Sequence, residues 1–297
     1  NKIKSIGLCD SFNLCGALEF AEKISKTGTQ PIIGTQINFL YEGVIGKLPL
    51  FAKTAVGYKN LVKLSSKSYL ESDERSDPHC KISELKKFNN DLIILSGNHR
   101  DFFGKLLNLN KTKQIEKIFL EMKYIFKDRF YLEIQRNNEA GENYYENFLI
   151  NLSKKLDIAL IASQEVFYLQ QDMYEAHDAL VCIGEKNFVD DIKRPRFSNQ
   201  HYLKKNNELT NLFSDIPEAL ENNYNFPYRF NFKPRKSTPI LPTIQTSADT
   251  TVEKELLNQS MIGLQNRLNN FILKKNNNGD KENIKKKYKD RLLHELN

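Results

Sequence analysis

Asp10 and Ser11 close a short, mostly apolar run from Ile3 to Cys9, and a helical pattern begins a few residues later. A strand that ends on a carboxylate and feeds a helix is the arrangement in which α/β barrels keep their chemistry, at the C-terminal strand ends. A carboxylate placed there can ligate a divalent cation or handle protons. Of the five histidines, His99 follows the buried-looking run 91–97 and is the one placed to serve as a further ligand. His177 sits in a helical word and reads as a core or capping residue, while His79 lies in a polar loop without a second ligand pair. No G-x-S-x-G elbow and no G-x-x-x-x-G-K-[ST] loop occurs, which leaves out the commonest nucleophile and nucleotide-phosphate devices.

The elements that must position these groups are legible from periodicity. Strands are expected at 3–9, 30–40, 47–53, 91–97, 129–136 and from 157. Helices are expected at 14–26, 56–70 (Leu61, Leu64 and Tyr69 inward), 83–88 with Ser83 as cap, 101–127, 142–156 and 171–183. Gly28 marks the stop of the first helix and Pro31 suits the start of the second strand. This alternation predicts an α/β fold with a parallel sheet or barrel. It ends near residue 184. Short helices at 208–212 and 217–222, a Pro-rich extended stretch at 226–245, an amphipathic helix at 251–272 and a helix opening at 284 follow.

The chain has 297 residues, 40% of them hydrophobic, enough for a sizeable core. Cys9, Cys15, Cys80 and Cys182 form no C-x-x-C pair or zinc spacing, and read as reduced, mostly buried thiols of a cytoplasmic protein. No apolar stretch is long enough for a membrane span. The net charge is +7, and the excess gathers between Lys274 and Arg291. That tract reads equally as a phosphate-contacting segment or a solvated Lys/Asn-rich loop. The first residue is not Met, so the chain reads as a piece of a longer one.

"LCDSFNLCGALEFAEKISKTGTQPIIGTQINF" resembles the second motif region of the polymerase-and-histidinol-phosphatase (PHP) domain at the start of bacterial replicative DNA polymerase III alpha subunits. Further family words follow in order: "LFAKTAVGYKNLVKLSS", "DLIILSG", "FYLEIQR", "EAHDALVCI", "RFSNQHYLK", "FSDIPEALENN" and "YKDRLLHEL". Together they run through nearly the whole chain. The resemblance implies a distorted seven-stranded, TIM-like PHP barrel lacking its first strand, then a linker and the mainly helical start of the polymerase region. The implied domains are 1–200 (PHP), 201–250 (connecting segment and linker) and 251–297 (helical start of the polymerase thumb or palm).

An active member would hold up to three metals on His, Asp, Glu and Cys at the strand ends. Matched position by position, the family's T-D-H is Cys9-Asp10-Ser11, which keeps a carboxylate and loses an imidazole. A Glu becomes Gln36, a His becomes Lys47, a Cys becomes Asn98, and the late Asp-x-His becomes Glu165 and Phe167. Hard cations need several anionic or imidazole donors at once. The resemblance therefore implies a vestigial metal site without hydrolysis, with Lys47 as an ion-pair partner for Asp10 or Glu165. It also implies template-directed DNA synthesis by the longer protein, with Mg2+ held by palm aspartates outside this sequence and no cofactor in this fragment. The implied partners are DNA, a proofreading exonuclease subunit, the sliding clamp and the clamp-loader. Lys285, Lys286 and Lys287 are the candidate DNA-phosphate contacts. A free-standing metal-dependent PHP phosphoesterase is the competing reading, and a non-enzymatic interaction module the third.

Overall fold

A computed structural model describes residues 3–73, 75–246, 250–275 and 280–296. The chain forms two compact units, Asn1–Lys236 and Ser237–Asn297. The first holds β1 (Ser5–Ser11), α1 (Ala17–Lys26), β2 (Gln30–Tyr41), β3 (Val44–Ala52), α2 (Ala55–Leu70), β4 (Cys80–Lys81), α3 (Ile82–Lys87), β5 (Leu92–Leu95), α4 (Phe102–Asn108), α5 (Thr112–Phe126), β6 (Phe130–Gln135), α6 (Glu142–Leu156), β7 (Leu160–Ser163), α7 (Tyr174–Glu185), α8 (Asn206–Leu212) and α9 (Pro217–Asn225).

The strands form one sheet in the order β1-β2-β3-β5-β6-β7, with the two-residue β4 paired to β2. It curls into a half-barrel, the α/β architecture expected. The expectation of a parallel sheet or barrel needs one local correction. β3 runs antiparallel to both neighbours, β2 and β5, while the other pairs on the path are parallel. Glu42 and Gly43, both at positive φ (46° and 79°), make the tight turn that folds β2 back into β3. The reversal matters for the site, because it brings the start of β3 to the end of the sheet where β1 and β2 finish. Lys47 lies opposite Asn38, two residues past Gln36.

Alternation along the strands sorts the core into two faces. Leu92 and Ile94 of β5 join Leu132 and Ile134 of β6 under the helices, with Leu61, Phe103, Phe119 and Leu149. Ile93 and Leu95 turn the other way, to Ile32, Phe51, Tyr131 and Ile161. That second face is filled by Phe226 and Phe230, whose rings stand 4.9 Å apart, with Phe226 edge-on to Phe51 at 5.7 Å. The start of the stretch expected as extended linker is thus a buried plug. α9 seals the β7 edge: the side-chain amides of Asn222 and Asn223 donate to the Leu160 and Ala162 carbonyls at 2.7 Å each. Residues 201–236 therefore pack with the sheet rather than apart from it.

Two smaller expectations also change. Tyr69 is exposed, because its position falls off the face that buries Leu61, Leu64 and Ser68. Ser83 lies inside α3, whose cap position is Lys81. All four cysteines are free; Cys80 and Cys182 are buried and Cys15 is exposed.

The second unit holds α10 (Val252–Arg267), a wider helical turn over Leu268–Ile272, α11 (Leu273–Lys275) and α12 (Lys281–Leu296). α10 and α12 bury no residue, so the expected apolar face of 251–272 leaves Val252 and Leu256 exposed and buries only Leu268. Residues 276–279 of the Lys/Asn-rich tract lie outside the described residues.

Candidate functional site

The C-terminal ends of β1 and β2, the start of β3, and the turns after β5, β6 and β7 converge at one end of the half-barrel. Ser11 donates to the Gln36 side chain at 3.1 Å, so two of the matched ligand positions satisfy each other. Asp10 stands beside them without an ion-pair partner among the described residues. Its neighbour Cys9 is pushed well above the usual thiol range by burial, then by the charges of Glu133, Asp10 and Asp101.

Lys47 reaches neither Asp10 nor Glu165 as an ion pair. Its partner is Asp101, at 3.7 Å and only 2% exposed. Asp101 also accepts from the Asn98 backbone at 3.0 Å, and the Asn98 side chain accepts from the Arg100 backbone at 2.9 Å. The turn after β5, Asn98-His99-Arg100-Asp101, is thus wound on its own side chains. Burial raises Asp101 from the ordinary carboxyl value, and Lys47 opposes the rise.

Glu165 has a different cation. Arg100 bonds it at 2.9 Å through Nη2, and its Nε lies 3.3 Å from Glu139. Glu139 in turn receives His201 Nε2 at 3.0 Å and stands 3.5 Å from His99 Nε2. His201 is fully buried, with Nδ1 3.0 Å from the Glu165 carbonyl. Burial pushes the Glu139 carboxyl up, but the His201 hydrogen bond and the Arg100 charge outweigh it and hold it below the ordinary value. Burial lowers His99. Phe167 lies between two imidazoles, His177 at 4.9 Å and His201 at 4.7 Å, both stacked, and Arg100 sits 4.6 Å over Phe197.

A divalent metal centre does not fit these residues. The guanidinium of Arg100 already lies between the carboxylates of Glu139 and Glu165, and the Lys47 ammonium faces Asp101. An incoming dication would meet two fixed cations and a phenyl ring in place of imidazole. Sequence matching placed Asp10, Ser11, Gln36, Lys47, Asn98, Glu165 and Phe167 at one end of the fold, where the structure has them. It missed Arg100, Asp101, Glu139 and His201, which carry most of the bonding. For Arg100 and Asp101 the signal available was "NHRD", two residues after the "LIIL" strand, a run of polar residues at a barrel-strand end.

Comparison with known proteins bears on the same region. A family model described as the PHP domain matches residues 1–137. The DNA polymerase III subunit alpha of Rickettsia bellii is 36% identical over 298 residues, covering 100% of this chain. Its counterpart in Caulobacter vibrioides is 34% identical over 92% of this chain, and that of Pseudomonas aeruginosa 31% over 98%. This chain belongs to the DNA polymerase III alpha subunit family and carries its PHP domain. It spans 24–25% of the length of these alpha subunits. A crystal structure described as a metal-dependent phosphoesterase from Bifidobacterium adolescentis aligns with a TM-score of 0.36 and 11% identity, over 55% of this chain and 77% of that one. No described helix of this PHP-domain chain is long and apolar enough to cross a membrane.

Proposed function

We propose that this chain works as the N-terminal part of a replicative DNA polymerase alpha subunit, and that its half-barrel is a structural platform without hydrolase activity. The observation that carries the second half is Arg100, set between Glu139 and Glu165 at the end of the fold where a PHP enzyme would keep its metals. Template-directed synthesis would belong to the longer protein, with Mg2+ at palm aspartates, and the sliding clamp and clamp-loader as its partners. Purified protein supplied with Mn2+ or Zn2+ is expected to retain no metal after dialysis and to leave a phosphomonoester intact. Two or more tightly held ions with turnover would favour a free-standing phosphoesterase instead.

The platform reading extends to docking of a proofreading exonuclease subunit. Its support is an apolar face around α7, where Met173, Leu180, Ile183, Phe188 and Ile192 are all exposed. Monomeric proteins rarely leave such a patch uncovered. Leu180→Glu with Ile183→Glu is expected to abolish capture of the exonuclease subunit while leaving the thermal midpoint unchanged; undiminished capture would remove that role from α7. For DNA, α12 exposes the Lys285–Lys287 run, of which Lys285 is paired to Glu282 at 2.8 Å. Charge reversal there is expected to flatten the salt dependence of duplex binding.

A further inference from the structure

α7 is anchored along one side. Tyr174 donates to the Phe197 carbonyl at 3.1 Å, His177 stacks on Phe167 at 4.9 Å, Asp178 pairs with the buried Arg194, and Cys182 is the one residue of the helix that is buried. At about 100° per residue these four share one arc of the helix. Met173, Ala176, Leu180 and Ile183, spaced 3, 4 and 3, take the arc left over. All four are exposed, Leu180 at 64% and Ile183 at 76%. The loop after α7 extends the patch. Its own bonds fix it: Asp191 accepts from the Phe188 amide at 2.8 Å, and Arg194 and Arg196 both donate to the Val189 carbonyl at 3.2 Å. Phe188 and Ile192 are thereby left outward, 78% and 93% exposed.

We propose that this face seats an amphipathic helix with basic ends, supplied by the exonuclease subunit; this rests on the docking reading given above. Spacing selects the shape. Residues three and four apart form one ridge of a helix, the a/d pattern against which a second helix packs its own apolar ridge. Ala176, in the middle of the ridge, lets a partner helix come close. Charge selects the chemistry. From Asp172 to Arg196 there are six acids and four bases, net −2, in a chain whose net charge is +7. Among the described residues the only ion pair in this segment is that of Arg194 with Asp178. Asp172 and Glu175 stand exposed where the ridge begins, and Glu185, Asp190 and Asp191 where it ends. A helix carrying Lys or Arg at both ends meets these carboxylates, and an acidic one is repelled by them. Because α7 is already anchored on its far side, the seat is formed before the partner arrives.

The probes are two synthetic helices of about 18 residues, stapled because free peptides of that length are marginally helical. Both carry Leu at a and d; one has Lys at its ends, the other Glu. Fluorescence anisotropy with the full chain in dilute salt should show the Lys helix binding about tenfold tighter. Unspecific attraction to a chain of net charge +7 would favour the Glu helix, so equal binding or a preference for Glu overturns the proposal. Leu180→Glu with Ile183→Glu should remove the Lys-helix signal, and binding that survives overturns it too. With the exonuclease subunit itself, Asp172→Lys with Glu175→Lys and Glu185→Lys should weaken capture about tenfold in dilute salt and reduce its salt dependence. Capture lost in the apolar pair but untouched by the charge reversal refutes the basic helix and leaves the docking reading standing. Capture retained by both refutes the docking reading itself.

Discussion

Replacing Arg100 by Met tests the idea that side-chain charge now does at this end of the fold what metal would otherwise do. Arg100 is 36% exposed, but its partners are far less so, Glu139 at 9% and Glu165 at 15%. An exposed ion pair contributes about 0–1 kcal/mol, while breaking a fully buried one costs about 3–5 kcal/mol. One half-exposed cation shared by two mostly buried carboxylates falls between, at about 2 kcal/mol. For a unit of this size that is a fall in midpoint of about 4–8 °C. Methionine keeps much of the packing over Phe197, so the loss reports charge. A second consequence separates this from ordinary stabilisation. Without the guanidinium, Glu139 and Glu165 are left with His201 and His99 and no cation between them, so millimolar Mn2+ should return part of the lost stability to the variant. Differential scanning fluorimetry with and without metal reads both effects. If Arg100→Met costs less than about 0.5 kcal/mol, or if the wild type gains as much from Mn2+ as the variant, the cation is not the substitute argued here.

Lys47→Met should be milder, about 1 kcal/mol, because its contact with Asp101 is long (3.7 Å) and Asp101 keeps its bond from the Asn98 backbone; chemical denaturation of the two single variants and the double would show whether the losses add. Gly104→Ala should be severe, about 3 kcal/mol, since a Cβ there would lie 2.0 Å from the His99 carbonyl oxygen, and backbone on both sides of the clash cannot simply rotate away. A midpoint within 2 °C of wild type for Gly104→Ala would mean that α4 does not clamp the turn carrying His99 and Arg100.

The half-barrel was largely legible because strands buried on both faces read as continuous apolar runs, as "LIIL" does, and because the helices between them keep their period. The direction of β3 was not, since periodicity gives a strand's faces and not its sense; only the Glu42-Gly43 turn encodes the reversal. Phe226 and Phe230 were hidden for a related reason. Flanked by Pro227 and polar residues, they look like linker, and only the unfilled concave face of the sheet explains why they are buried. At the site, matching to a ligand pattern finds what replaced each ligand but is blind to compensating residues at positions the pattern never names. Arg100, Asp101 and Glu139 are of that kind.

Those compensations divide by depth, and the division follows from solvation. Five carboxyls gather at this end of the fold, Asp10, Asp101, Glu133, Glu139 and Glu165, against two strong cations, Lys47 and Arg100. Near the rim, a guanidinium can bond two carboxylates while its outer edge stays in water, so its own desolvation is small. Deeper in, at Glu133, a cation would lose its hydration entirely, and an arginine or lysine brought there would need partners that Ser163 and Gln135 cannot supply. Protonation instead forms an O–H bond that leaves the carboxyl neutral, so no charge remains there to desolvate. On the platform reading, these carboxylates are held by side-chain cations where water reaches and by protonation where it does not. The rim should answer to salt and the interior to pH: added salt should narrow the gap between wild type and Arg100→Met. It should leave nearly unchanged the advantage of Glu133→Gln over wild type at pH 8, above the value of about 7 to which burial raises Glu133.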